Sequence, residues 1–411
     1  MTAARVLTVA SAPLGADDPA GRLVARALLA EGVPVASRQV VDETESALEP
    51  ALAAALEAGG LVVVLSSPGG SAGDIVRRVL SRLAGARLVL NEKLLAAIEK
   101  DFAAREQAMP HRLDRLALLP QGADLWTTTS GEPGWSLEAK AAMVVVIPLG
   151  SAHLDALVHE RLRPLARQRL GGAGGIALRT LLTTGLSPAD AEDRLAPWLG
   201  KPGPVSVSAV ITDGDVWVRL LARGASDPSA LDELPAVESA VRAALGLDCY
   251  GSDDDTLESV VGRLLIERAL TVSVAESCTG GLVGHRLTNI PGSSRYFERG
   301  VMVYSNRAKE EMLGVPASLL VAHGAVSAPV AEAMVAGIRR ISGSSCGIAV
   351  TGVAGPDGGT PIKPVGTVYI AAAWPSGLRV RHFRFVGGRD AVKSQSAQAA
   401  LDMLRRGLLE R

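Results

Sequence analysis

Apolar residues along this chain gather in short unbroken runs, and between those runs they recur at helical spacing. Residues 6–10, 61–65 and 143–147 are apolar at nearly every position, as strands buried on both faces of a parallel sheet must be. Residues 21–31 (stopped by Gly32), 51–58 and 74–83 carry helical patterns between them. The alternation predicts a doubly wound α/β sheet over residues 1–170. The GGAGG stretch at 171–175 reads as a linker. A small α+β module is expected over 176–250. Two alternating runs, 205–211 and 216–221, flank Asp213-Gly214, a strong hairpin signal, with helical patterns at 188–199 and 227–245. Residues 252–255 (SDDD) read as a polar hinge whose acids suit the start of a helix at 256–269.

The third region, 253–411, repeats one arrangement three times. An apolar run at 271–275 leads into Glu276-Ser277-Cys278-Thr279-Gly280-Gly281, and a second at 301–304 into SNRAK, ending at Lys309. A third at 347–350 leads into TGVAGPDGG. Strands that each end in small hydroxyl residues and glycine predict a pocket at the carboxyl edge of an α/β sheet. Further strands are expected at 367–374 and 379–385, and a terminal helix at 391–410.

Composition narrows the partners and the setting. The 411 residues carry 42 basic and 43 acidic side chains, a balance of −1 that draws the chain to neither nucleic acid nor an anionic membrane. No apolar run approaches the roughly 20 residues that span a bilayer. Pro13, Asp17 and Asp18 follow the first apolar run too soon for a signal peptide. Three widely spaced cysteines imply neither a disulfide framework nor a metal site, so a reducing cytoplasm is expected.

The pocket inventory points to acyl chemistry without a metal. Serine needs a base to become a nucleophile. Neither motif holds a histidine, whereas a desolvated lysine has a lowered pKa and a free lone pair. Ser277 and Lys309 follow neighbouring strands and can meet at the sheet edge. The helix after Ser277 is expected to aim its positive end at a developing oxyanion. Cys278 is a rival nucleophile at a helix start, but adjacent side chains point in different directions, so one of the two faces the pocket. Tyr304 can relay a proton or stack on a ring. Ser294 can hydrogen-bond the base or the substrate, and Thr351 with the loop 352–359 can form a binding rim. Arg389 can clamp a phosphate. His323 reads as a helix-end residue.

These motifs carry a resemblance. The sequences AESCTGG (275–281), IPGSS (290–294), GVMVYSNRAK (300–309), HGAVS (323–327), VTGVAGPDGGTPIKPVGTV (350–368) and GGRDAV (387–392) closely resemble the nicotinamide-nucleotide amidohydrolase (NMN deamidase, PncC-type) domain. The whole chain resembles the CinA (competence/damage-inducible) family. The resemblance implies a C-terminal three-layer α/β amidohydrolase domain that converts nicotinamide mononucleotide to nicotinate mononucleotide and ammonia in NAD salvage, with no cofactor. It implies Ser277 as nucleophile, Lys309 as base and Tyr304 as their assistant. Ser294, Thr351, Gly280, Gly281, Asn306, Gly355 and Arg389 would hold the substrate. Gly388 stands where the family usually has aspartate. A homodimer and a partner in the DNA-recombination machinery are further implications, and a non-catalytic interaction protein is the alternative reading.

The first domain resembles the family's MoaB-like, molybdopterin-binding-like domain in outline. Its loops are degenerate: residues 11–15 (SAPLG) replace the usual GDE-type loop, residues 66–74 (SSPGGSAGD) keep one acid, Asp74, and residues 149–154 (LGSAHL) replace the usual proline–serine–glutamate–methionine turn. The family's metal-dependent ADP-ribose pyrophosphatase activity, and a divalent metal, are therefore not expected here, and a scaffold or dimerisation role is. The middle segment resembles the family's KH-like module, without a basic face to support nucleic-acid binding.

Overall fold

A computed structural model of the chain describes residues 3–10, 18–67, 70–104, 106–110, 113–126, 133–149, 154–170, 176–212, 215–224 and 229–410. The 11–15 and 150–153 loops, residues 68–69, the 171–175 linker and the Asp213-Gly214 turn lie outside the described residues. The chain forms two compact units, Met1–Leu178 with Leu221–Pro235, and Arg179–Leu220 with Ala236–Arg411.

The first unit begins β1 (Ala4–Val9), α1 (Pro19–Ala30), β2 (Val35–Val41), α2 (Glu45–Ala58), β3 (Gly60–Ser66), α3 (Gly70–Ala84), β4 (Leu88–Leu90) and α4 (Glu92–Ala104). It continues with β5 (Leu118–Pro120), β6 (Asp124–Trp126), β7 (Gly134–Ala139), β8 (Ala142–Pro148), α5 (Leu154–Leu157) and α6 (Arg163–Leu170). The main sheet runs β2-β1-β3-β8-β7-β6. Its first four strands are parallel, and β7 and β6 add an antiparallel edge. On β3 and β8 successive side chains enter opposite cores: Val62, Val64 and Val144 face one, Val63, Leu65 and Val145 the other. That two-sided burial is why these strands read as unbroken apolar runs. Helix α2 starts six residues earlier than its apolar pattern suggests, because Thr44 caps it by accepting from Ala47 N and Pro50 sits inside it. Strands β4 to β6 are three residues each, too short for a period of two to show in sequence.

The middle segment holds β9 (Ile176–Thr183), α7 (Pro188–Leu195), β10 (Val205–Thr212), β11 (Asp215–Arg223), α8 (Ser229–Leu245) and β12 (Cys249–Ser252), with sheet order β10-β11-β9-β12. The expected polar hinge is instead a pinned corner. Cys249–Ser252 pairs with β9, and Asp253 accepts from Thr180 N at 2.9 Å and pairs with Arg179. The next helix, α9 (Leu257–Glu267), is capped by Thr256 and Ser259 rather than by an acid: each side chain accepts the other's backbone N–H.

The C-terminal segment continues with β13 (Val272–Glu276), α10 (Leu282–Thr288), β14 (Phe297–Met302), α11 (Asn306–Leu313), α12 (Ala317–His323), α13 (Ala328–Ser342), β15 (Cys346–Gly352), β16 (Thr367–Trp374), β17 (Gly377–Arg384) and α14 (Arg389–Leu409). The sheet order is β14-β13-β15-β16-β17, with β14, β13 and β15 parallel and the last two antiparallel. Val272, Val274, Ile348 and Val350 pack in one layer with Leu257, Val261 and Leu265 of α9 and with Leu401 and Leu404 of α14. Ala275, Ala349, Ala371 and Ala373 face the opposite layer, with Leu313 of α11, Leu320 of α12 and Met334, Val335 and Ile338 of α13. The result is three layers, with β13 and β15 buried on both faces. Among the described residues no helix is long and apolar enough to cross a membrane.

Candidate active site

Alternation along β13 decides which way the motif after it points. Val272 and Val274 face the α9/α14 layer and Ala275 faces the α11/α13 layer. The ladder extends one step past the strand: Ser277 N donates to Val350 O at 3.0 Å, and Val303 N donates to Glu276 O at 2.8 Å. Cys278 joins the α9/α14 core, while Ser277 meets Lys309 from the other layer. The Lys309 amine lies 3.3 Å from Ser277 Oγ, 2.7 Å from Val303 O and 3.2 Å from Tyr304 O.

Lys309 is 1% exposed. Among the described residues no carboxylate lies within ion-pair distance of it. Burial lowers its pKa below the usual lysine value. Burial has the opposite effect on the Cys278 thiol, pushing its pKa up to about 12. A thiol held protonated is a poor nucleophile, so the geometry favours Ser277 over its neighbour.

Glu276 is a site residue that the sequence reading passed over. Its buried carboxylate accepts from Gly281 N (3.0 Å), Val283 N (3.1 Å) and Gly284 N (2.8 Å). It therefore occupies the start of α10, and the expected oxyanion role of that helix end is corrected: the N–H groups there are already engaged. Gly281 N bonds Glu276, and Gly280 N donates to Ser277 O at 3.1 Å. Neither glycine N–H is left for a substrate. The N–H groups of Cys278 and Thr279 face the Cys278 sulfur, where they oppose the larger effect of burial on its pKa. Gly281 has φ of 95°, a left-handed conformation that suits glycine where the chain turns into α10. The signal for Glu276 was available in sequence: an acid at the end of a strand that feeds directly into a helix.

The remaining candidates divide between the rim and elsewhere. Tyr304 lies past β14 rather than within it and is 66% exposed. Its hydroxyl is 3.3 Å from Arg389, which also donates to Gly355 O at 2.7 Å. One guanidinium thus ties together the end of β14, the loop after β15 and the start of α14. Asn306 opens α11 and is exposed, and Ser305 caps that helix by accepting from Ala308 N. Thr351 is buried and donates to Ala325 O at 2.8 Å, which makes it a latch for the 323–327 loop. Ser294 is the correction. It follows α10, which returns the chain to the amino edge of the sheet, and it precedes Phe297, whose partner Val272 begins β13. Within this chain it stands at the opposite end of the strands from Ser277. His323 ends α12 with its side chain exposed, as expected, and its carbonyl accepts from Lys363. Gly388, at the family's aspartate position, is the N-cap of α14 and supplies no capping side chain.

In the first unit Asp74 is paired with Arg77 and with Arg115, the latter at 3.4 Å. Two guanidiniums neutralise the Asp74 carboxylate, so among the described residues this acid does not fit a divalent ion.

Residues 254–408 match the CinA C-terminal domain, residues 7–157 the probable molybdopterin binding domain, and residues 178–251 the damage-inducible protein CinA KH domain. The chain is 38% identical over 394 residues to a CinA-like protein of Geobacter sulfurreducens, covering 96% of this chain and 95% of that protein. It is 37% identical over 398 residues to a putative competence-damage inducible protein of Symbiobacterium thermophilum, covering 94% and 93%. Among solved structures it is similar to the competence/damage inducible protein CihA from Agrobacterium tumefaciens, 38% identical, covering 38% of this chain and 98% of that one with a TM-score of 0.36. With a MoaB-like N-terminal domain, a KH-like middle domain and a C-terminal CinA domain, the chain belongs to the CinA family.

Proposed function

We propose that the C-terminal domain hydrolyses the carboxamide of nicotinamide mononucleotide, giving nicotinate mononucleotide and ammonia, with Ser277 as nucleophile and Lys309 as base. The supporting observation is the set of partners around one amine. A neutral lysine has two N–H bonds and one lone pair. Val303 O and Tyr304 O account for the two donors, and the lone pair is left for the Ser277 hydroxyl.

Lys309 takes the hydroxyl proton as Ser277 Oγ attacks the carboxamide carbon, forming a tetrahedral intermediate. The lysine ammonium returns the proton to the leaving nitrogen, and ammonia departs from an acyl-serine. Water then attacks that ester, giving its proton to Lys309, and Ser277 recovers its own as nicotinate mononucleotide leaves. Tyr304, Asn306, Gly355 and Arg389 form the rim in this reading.

Incubating the full-length chain with nicotinamide mononucleotide tests it. Ammonia and nicotinate mononucleotide should appear in equal amounts, and no release at any pH from neutral to mildly alkaline would overturn the reading.

A further inference from the structure

Lys393 lies one turn beyond Arg389 on α14, so the two side chains share a helix face. Its amine is 3.7 Å from where a side chain at Gly280 would begin, which places it over the turn closed by Gly280 N and Ser277 O. Lys393 is only partly exposed, and among the described residues it makes no hydrogen bond or ion pair. A half-buried ammonium without a counter-ion, beside a reactive serine, is an incomplete arrangement. Arg389 donates to Gly355 O and Tyr304 and keeps further donors, so Lys393 adds a second cation on the same helix face, one that has no partner of its own among the described residues.

We propose that Lys393 binds the phosphate of the substrate, with Gly280 kept side-chain-free to admit it. This rests on the amidohydrolase reading above and assigns the residue that separates a mononucleotide from its dephosphorylated riboside. A phosphate would complete the charge balance and would orient the ring so that its carboxamide reaches Ser277.

The test compares ammonia release from nicotinamide mononucleotide and from nicotinamide riboside, using the full-length chain, Lys393→Met and Lys393→Arg. Calorimetric binding of nicotinate mononucleotide is the second readout. Lys393→Met should lower the ratio of kcat/KM for mononucleotide over riboside by roughly ten- to hundredfold, mostly through KM, and weaken nucleotide binding by a similar factor. Lys393→Arg should restore most of the ratio. An unchanged ratio in Lys393→Met, or an equal loss on both substrates, would overturn the assignment. If the unmodified chain releases no ammonia from either substrate, the amidohydrolase reading fails and calorimetry alone decides. Binding that Lys393→Met loses would uphold the phosphate site, and binding that it keeps, or no binding by the unmodified chain, would reject it.

Discussion

At the residue scale the account depends on protonation. Lys309 is held below its usual pKa by burial, and a lysine base works only when neutral. Activity should therefore fall as pH is lowered through that depressed value and recover above it. A pH profile of kcat/KM flat from about pH 6 to 9 would contradict this. Lys309→Arg keeps a cation but cannot release a proton near neutrality, so ammonia release should disappear; retained activity would show that the amine is not the base. Glu276 acts through others, by holding the 277–281 turn. In Glu276→Gln an amide nitrogen must face one of three backbone N–H donors. That shift should reduce kcat about ten- to hundredfold with a smaller change in KM. An equal rise in KM, or no effect, would place Glu276 outside the positioning of Ser277.

At the scale of elements, the helix that carries Lys309 is seated by a close approach. A methyl group at Gly337 of α13 would overlap the Leu313 carbonyl at the end of α11, and Arg340 donates to that same carbonyl at 2.8 Å. Gly337→Ala should push α11 outward, costing about 1–3 kcal/mol of stability and lowering activity even where the protein stays folded. Denaturant unfolding with an activity assay reads both, and a variant that matches the unmodified chain in each would refute the seating role. This contact was not legible in sequence, because Gly337 joins residues distant along the chain. The strands β3, β8, β13 and β15 were legible, because double-sided burial leaves unbroken apolar runs. The serine was legible because it follows such a strand, and the lysine because it follows the short apolar run at 301–304, although the strand there, β14, lies at the sheet edge and is largely exposed. The placement of Ser294 was not: its distance from Ser277 depends on α10 returning to the amino edge. The role of Glu276 was legible as an acid between a strand and a helix, although which three N–H groups it takes, those of Gly281, Val283 and Gly284, needs three-dimensional geometry.

At the scale of the molecule, α14 is tied to the middle segment by a charged network within the second unit. Arg406 pairs with Asp248 and Asp402 at 2.6 Å each, Arg194 pairs with Asp248 at 2.8 Å, and buried Arg405 donates to Leu247 O at 2.5 Å. Burial alone would raise the Asp248 pKa, but Arg406 and Arg194 outweigh it and hold the carboxyl below the usual aspartate range. A carboxylate with a depressed folded pKa stabilises the fold above its unfolded value of about 4 and loses that contribution as pH falls through the folded one. Thermal unfolding should therefore show Tm falling below about pH 4 by more in the unmodified chain than in Asp248→Asn; identical acid profiles would remove the network from the stability account. The measurement that bears most directly on the central claim is ammonia release from nicotinamide mononucleotide by Ser277→Ala and Cys278→Ala, side by side in the full-length chain. The account predicts no detectable turnover in the first and most of the activity in the second, and the reverse pattern would contradict it.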